Sequence, residues 1–385
     1  MSTVNHRLVL RSHDGEQLAI LQDLVHWELT RVLNDAGWFT IVASGDFDPQ
    51  MLGVDKLIEF WRQPVGGEDM LLAVGFMRYW EWAETDGVEV VRFGGPDQVE
   101  LLDRRIVCYA ATTSQSSKED MDSDDMVKEI IRENHVYATA GMSDYGRPRG
   151  FPAANFTCDP DEGGGYNMSR DFAWRDVLPT IQEIAESSYS YGVPLFFDVV
   201  PNGPAQFTFR TWIGVRGIDR TIGAGIIPIL FSKEAGNLAD PMLRFDYTDE
   251  LSYVVGGGQG EGTDREIDPE NSDISKLREG ESIWNKRESF QDARECGRIR
   301  ECIAARAFQK LQEHRAKMVF SGRLLDMPQS RFGVDWGFGD KVTSRYQGFD
   351  FDGYVRSFTI RVDQDGVEDV SAGFDVTEYA YGSPR

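Results

Sequence analysis

Histidine and cysteine are both scarce. Five histidines, His6, His13, His26, His135 and His314, are scattered over 385 residues, and none stands at the i, i+4 spacing of a helical zinc site. The four cysteines, Cys108, Cys158, Cys296 and Cys302, form no CxxC pair. If the last two shared a helix, six steps of about 100° would set them about 240° apart, too far round for a disulfide. All four are therefore expected as reduced thiols filling core space. Positive charge is short as well: 40 bases against 64 acids leave −24, which repels phosphate backbones and argues against a nucleic-acid reader. No window of about 18 apolar residues occurs, and residues 1–20 hold no uninterrupted apolar stretch, so neither a membrane span nor a secretory signal is expected. The expectation is a soluble chain made in the cytoplasm.

Catalytic motifs are missing too. There is no GxSxG elbow for a serine hydrolase. The glycine run at residues 256–262 lacks GxGxxG spacing and is followed by acidic residues, not by a helix start that would hold phosphate, so it reads as a flexible loop. Among the many acids, Asp350/Asp352 and Asp363/Asp365 are the pairs a glycosidase would need, yet both lie near glycine in expected turns that favour Asp anyway. The Asp350 segment also lacks the later Glu of an EF-hand.

What the chain does hold is many short strands. Residues 7–21 read as a hairpin around Asp14-Gly15, and Trp27 to Ala43 repeat the design across residues 34–37. Apolar runs follow at 56–62, 70–80, 89–93 and 99–110, the spacing of a barrel or sandwich. Residues 112–125 are polar with only Met121 apolar, a solvated linker and an expected domain boundary. A helix is expected over 126–134, then a long loop over 141–171 with nine Gly or Pro in 31 residues, and a second helix restarting near Pro179. Residues 195–200 and 206–212 pair across a Pro-Asn-Gly-Pro turn. Residues 240–273 carry ten acids and two bases, while 276–317 carry eleven bases and seven acids, with Ile299, Cys302, Ile303, Ala307 and Leu311 on one face. That stretch reads as the longest helix, basic and amphipathic.

The fold class expected is mainly β with an α+β insert: two β-barrel domains, a small α+β domain and one long amphipathic helix. Residues 1–111 form the first barrel, 112–212 the linker and insert, 213–275 return strands with the Gly-rich acidic loop, 276–317 the helix and 318–385 the second barrel. Parts of 213–262 complete each barrel.

Several strings carry a resemblance. Gly37-Trp38-Phe39-Thr40-Ile41, Leu101-Leu102-Asp103-Arg104-Arg105-Ile106, Gly217-Ile218-Asp219-Arg220-Thr221, Phe231-Ser232 with Gly236-Asn237-Leu238, and residues 255–262 are the first of them. Residues 287–294 and Gly333-Val334-Asp335 with Gly339-Asp340-Lys341-Val342 complete the series. In order, they resemble minor tail proteins of long-tailed phages infecting actinobacteria. The resemblance implies a virion tail-tip or baseplate hub, usually a homotrimeric ring of two barrels per chain beneath the distal tail ring. Its partners would be copies of itself, the distal tail protein, the tape measure protein and tip or fibre proteins, with DNA only in transit through an acid-lined passage. It implies no enzyme, cofactor, metal or stable membrane contact. Asp103, Arg104, Asp219, Arg220, Asp335 and Asp340 would be structural, fixing turns or ion pairs. The alternatives are a tail-associated cell-wall hydrolase and a receptor- or glycan-binding module using Trp80, Trp82 or Trp284.

Overall fold

The computed structural model describes residues 4–22, 24–85, 87–108, 115–136, 149–268, 284 and 286–379. The chain divides into two compact units, Met1–Asp240 with Gly322–Phe374, and Pro241–Ser321 with Asp375–Arg385. It is mainly β.

In the first unit, strands Asn5–Arg11 and Gln17–Leu21 form the expected hairpin, and Leu57–Gln63 and Met70–Phe76 extend it to a four-stranded antiparallel sheet. The second hairpin, Leu24–Val32 and Asp35–Ser44, turns more tightly than the spacing predicts, with Asn34 at φ 60°. It belongs to a ten-stranded sheet. Its main path runs Leu238–Asp246, Lys317–Leu325, Glu368–Tyr379, Phe349–Asp363, Leu24–Val32, Asp35–Ser44, Val88–Pro96 and Tyr79–Thr85, and Lys341–Tyr346 and Leu230–Ser232 branch from Phe349–Asp363. The decisive pairing joins distant sequence: Ile360 lies opposite Leu29 and Val362 opposite Trp27. Alternation along these strands sends Trp27, Phe39 and Phe60 into one interior, where Phe60 lies 5.6 Å from Trp27 and 5.3 Å from Phe39. The four-stranded sheet thus packs on the larger one. The strand pairings leave every described sheet open.

The middle of the chain is α+β. Helix Ser123–Ile131 and helix Val177–Ser190 bury Met126, Val127, Ile130, Ile181 and Ile184 against strands Leu195–Gly203 and Gln206–Ile213, and Phe156–Cys158 adds a parallel edge. Pro179 sits in the first turn of its helix, where the missing N–H costs nothing.

Several expectations change. Residues 116–122 are no linker: Ser116–Asp122 is a strand paired with Asn167–Phe172, and Lys118, buried, reaches Glu133 across 2.5 Å. Alternation of polar side chains hid it. Of the loop over 141–171, residues 141–148 lie outside the described residues, and two short strands occupy part of the remainder. Residues 98–102 form a 3-10 turn, not a strand, because Asp97 Oδ1 accepts the Val99 N–H at 2.9 Å and caps it. Asp350 and Asp352 stand within strand Phe349–Asp363, where Asp350 pairs with Arg345 at 2.6 and 2.8 Å.

In the second unit, a strand Tyr253–Gly257 runs parallel to Glu288–Asp292 and is backed by helix Arg300–Glu313. The glycine run therefore begins as sheet. A Cβ at Gly256 would lie 2.7 Å from Ile303 Cγ2, so the bare backbone is what admits the helix. The long helix over 276–317 is also corrected: residues 276–283 and 285 lie outside the described residues, 288–292 is strand, and the helix has 14 residues, equal to Val177–Ser190. Cys296 and Cys302 form a disulfide. Cys296 ends a short turn, the chain reverses at Gly297 and the helix starts only at Arg300, so the two never share a helix and their Cα atoms lie 5.6 Å apart.

Candidate functional site

After strand Gln206–Ile213 the chain crosses to the segment before strand Lys341–Tyr346, and two of the resembling strings meet there. Asp340, buried, accepts the Ile218 N–H at 2.7 Å on one oxygen; the other takes Arg220 Nε at 2.9 Å and the Gly337 N–H at 2.9 Å. A Cβ at Gly217 would lie 2.3 Å from the Asp340 oxygen, so only glycine lets the carboxylate reach this backbone. Asp219 accepts both the Thr221 N–H and its hydroxyl, at 3.0 and 2.7 Å. Burial pushes the Asp219 carboxyl up, but these Thr221 bonds and Lys341 outweigh it and hold it below its ordinary range. Backbone bonds from Arg220 to Lys341 O, 2.7 Å, and from Ile229 to Arg220 O, 3.0 Å, close the base of a loop.

That loop presents apolar side chains to water. Ile227 is 82% exposed, and Ile218, Ile222 and Ile226 are each more than 40% exposed. Four exposed isoleucines thus stand within ten residues on a pinned base.

Behind the base lies a buried ionic junction. Arg31 places Nε 2.8 Å from Asp97 and donates to Asp198 at 2.7 Å, and Asp198 accepts Arg216 through its second oxygen at 2.5 Å. Arg216 lies over Trp212 and Phe338 and donates to Phe338 O at 3.1 Å. Burial pushes the Asp97 carboxyl up to about 6 even though Arg31 opposes it. The junction ties the first β segment, the α+β segment and the loop base together. A second junction joins Glu368 to Arg62, at 2.8 and 2.7 Å, and to His6, at 2.5 Å; burial raises the Glu368 carboxyl, but Arg62 and His6 bring it down to about 2.

The residues singled out in the sequence do not form one site. Asp219, Arg220 and Asp340 converge. Asp335 instead takes the Arg331 side chain at 3.0 Å and its N–H at 2.8 Å. Arg104 pairs with Glu100 at 2.6 Å and Asp55 at 3.0 Å and lies over Phe76. Asp103 ends the 3-10 turn, its carboxyl raised by burial and by Asp176 and Asp35. The sequence reading missed Arg31, Asp97, Asp198, Arg216, Arg62 and Glu368. One signal was available: Asp198 interrupts the apolar run Leu195-Phe196-Phe197-Asp198-Val199-Val200.

Among the described residues, no cluster of three His, Cys, Asp or Glu is placed to hold a metal ion, and no helix is long and apolar enough to cross a membrane.

Residues 8–374 match the sequence model of a family described as Siphovirus ReqiPepy6 Gp37-like protein. Two solved structures share the fold. The tail protein from Neisseria meningitidis MC58 is 11% identical with a TM-score of 0.53, covering 96% of each chain. The 43 kDa tail protein of prophage MuSo2 from Shewanella oneidensis is 13% identical with a TM-score of 0.52, covering 96% of this chain and 97% of that one. No curated protein matches the chain.

Proposed function

Because the chain belongs to the family of Siphovirus ReqiPepy6 Gp37-like proteins, we propose that it is a structural hub of the phage tail tip. In this reading three copies close a ring that joins the distal tail protein to tip or fibre proteins, with the tape measure protein above. The β segments act as two barrel-type modules per copy. The observation that carries the reading is the isoleucine loop on its ion-paired base. A rigid support beneath exposed apolar side chains favours permanent assembly over turnover of a substrate. The excess of 24 negative charges supports a passage from which DNA is repelled, so the genome moves without adhering.

Electron microscopy of intact particles tests this. The expected result is threefold density for the chain at the tail tip, around an acidic lumen. Absence from the tail, or single copies at its periphery, overturns it.

A further inference from the structure

The isoleucine loop has a counterpart elsewhere in the first unit. A cleft of about 270 Å³ opens beneath two hairpin tips, residues 12–15 and 203–206, which touch where Gly15 faces Pro204. Its walls are Leu57, Phe76, Phe156 and Phe207, all buried. The polar groups at its mouth are already matched: Asp55 holds Arg78 and Arg104, each at 3.0 Å, Arg104 also holds Glu100, and Asp14 lies 3.1 Å from His13. A charged occupant would find little uncompensated charge to bind, whereas an aliphatic one would bury against phenylalanine.

We propose that this cleft receives the isoleucine loop, Ile222, Ile226 and Ile227, of a second copy of the chain. This inference rests on the ring reading and names the contact that closes it. The knob and the hole share no residue, so the contact repeated from copy to copy closes a ring where the rotation returns to its start. Copies carrying −24 each repel one another, so added salt is expected to tighten an apolar contact between them.

The test uses two full-length variants, Ile227→Cys and Asp14→Cys, both at exposed side chains. Mixed under mild oxidation, and separately assembled together into tails, they are expected to give a cross-linked dimer that neither variant gives alone. The wild-type chain, whose Cys108 and Cys158 lie outside the disulfide, sets the background. Cross-linking of Ile227→Cys to itself, or no dimer in either setting, overturns the proposal. A double variant, Ile226→Asp with Ile227→Asp, is expected to weaken self-association on the order of 100-fold, the effect of removing two buried isoleucines, with an unchanged melting temperature. Undiminished association overturns it as well. Threefold density at the tail tip without the mixed cross-link removes this contact alone; absence of the chain from the tail removes the ring reading too.

Discussion

Asp198 is the residue on which most charge converges, since Arg31 and Arg216 both depend on its two oxygens. Asp198→Ala leaves two guanidinium groups without their shared partner, and urea unfolding is expected to show a loss of ~3–5 kcal/mol. His135 gives a pH dependence. Burial and then Arg105 hold its imidazole down to about 3 from an ordinary 6.5. As pH falls, the unfolded chain takes up this proton first, so stability drops below about 6.5 and the loss levels off near 3. Between about pH 7 and pH 4 the contribution is on the order of 3 kcal/mol. His135→Gln is expected to flatten that slope in melts taken against pH. Asp97 works in the opposite sense: its carboxyl, raised to about 6, contributes below 3.8 and is lost as pH rises through 6. The variant comparison therefore isolates the histidine. Arg31, Arg62 and Glu368 were hard to read in sequence because an inward charge in a strand looks like an outward one until the partner strand is known; Asp198, set among apolar neighbours, carried the one available signal.

Elements were legible where a turn and a period agreed. Asp14-Gly15 announced the first hairpin, and Pro179 announced where the second helix begins. They were illegible where tertiary partners supplied the order. Ser116–Asp122 carries no apolar alternation and becomes a strand only by pairing with Asn167–Phe172. The stretch before Arg300 likewise looked helical in charge pattern, but Glu288–Asp292 is drawn into sheet by Tyr253–Gly257. Gly256→Ala is expected to lower the unfolding midpoint of the second unit, because its methyl meets Ile303. Cys302→Ser opens the short covalent loop from Cys296, and calorimetry is expected to show about 2 kcal/mol lost from that unit.

For the whole molecule, like-charge repulsion is a cost that salt can lower. An excess of 24 acids favours expansion, so the melting temperature is expected to rise between low and moderate salt, measured by scanning calorimetry. A flat response would mean the acids are spaced or paired well enough to be neutral in effect. That the chain is mainly β was readable from strand density; two β-barrels were expected where the described sheets are open, and the ten-stranded order was not readable because it joins the residues around Trp27 to those around Val362. That junction has a consequence for biosynthesis. A ribosome releases Leu24–Val32 more than three hundred residues before Phe349–Asp363, its neighbour, so the early hairpin waits with one bare margin while the helical middle matures. A message cut short upstream of Phe349 yields a polypeptide in which that margin of Leu24–Val32 stays bare, and such fragments would be cleared or would clump before any could enter a growing virion.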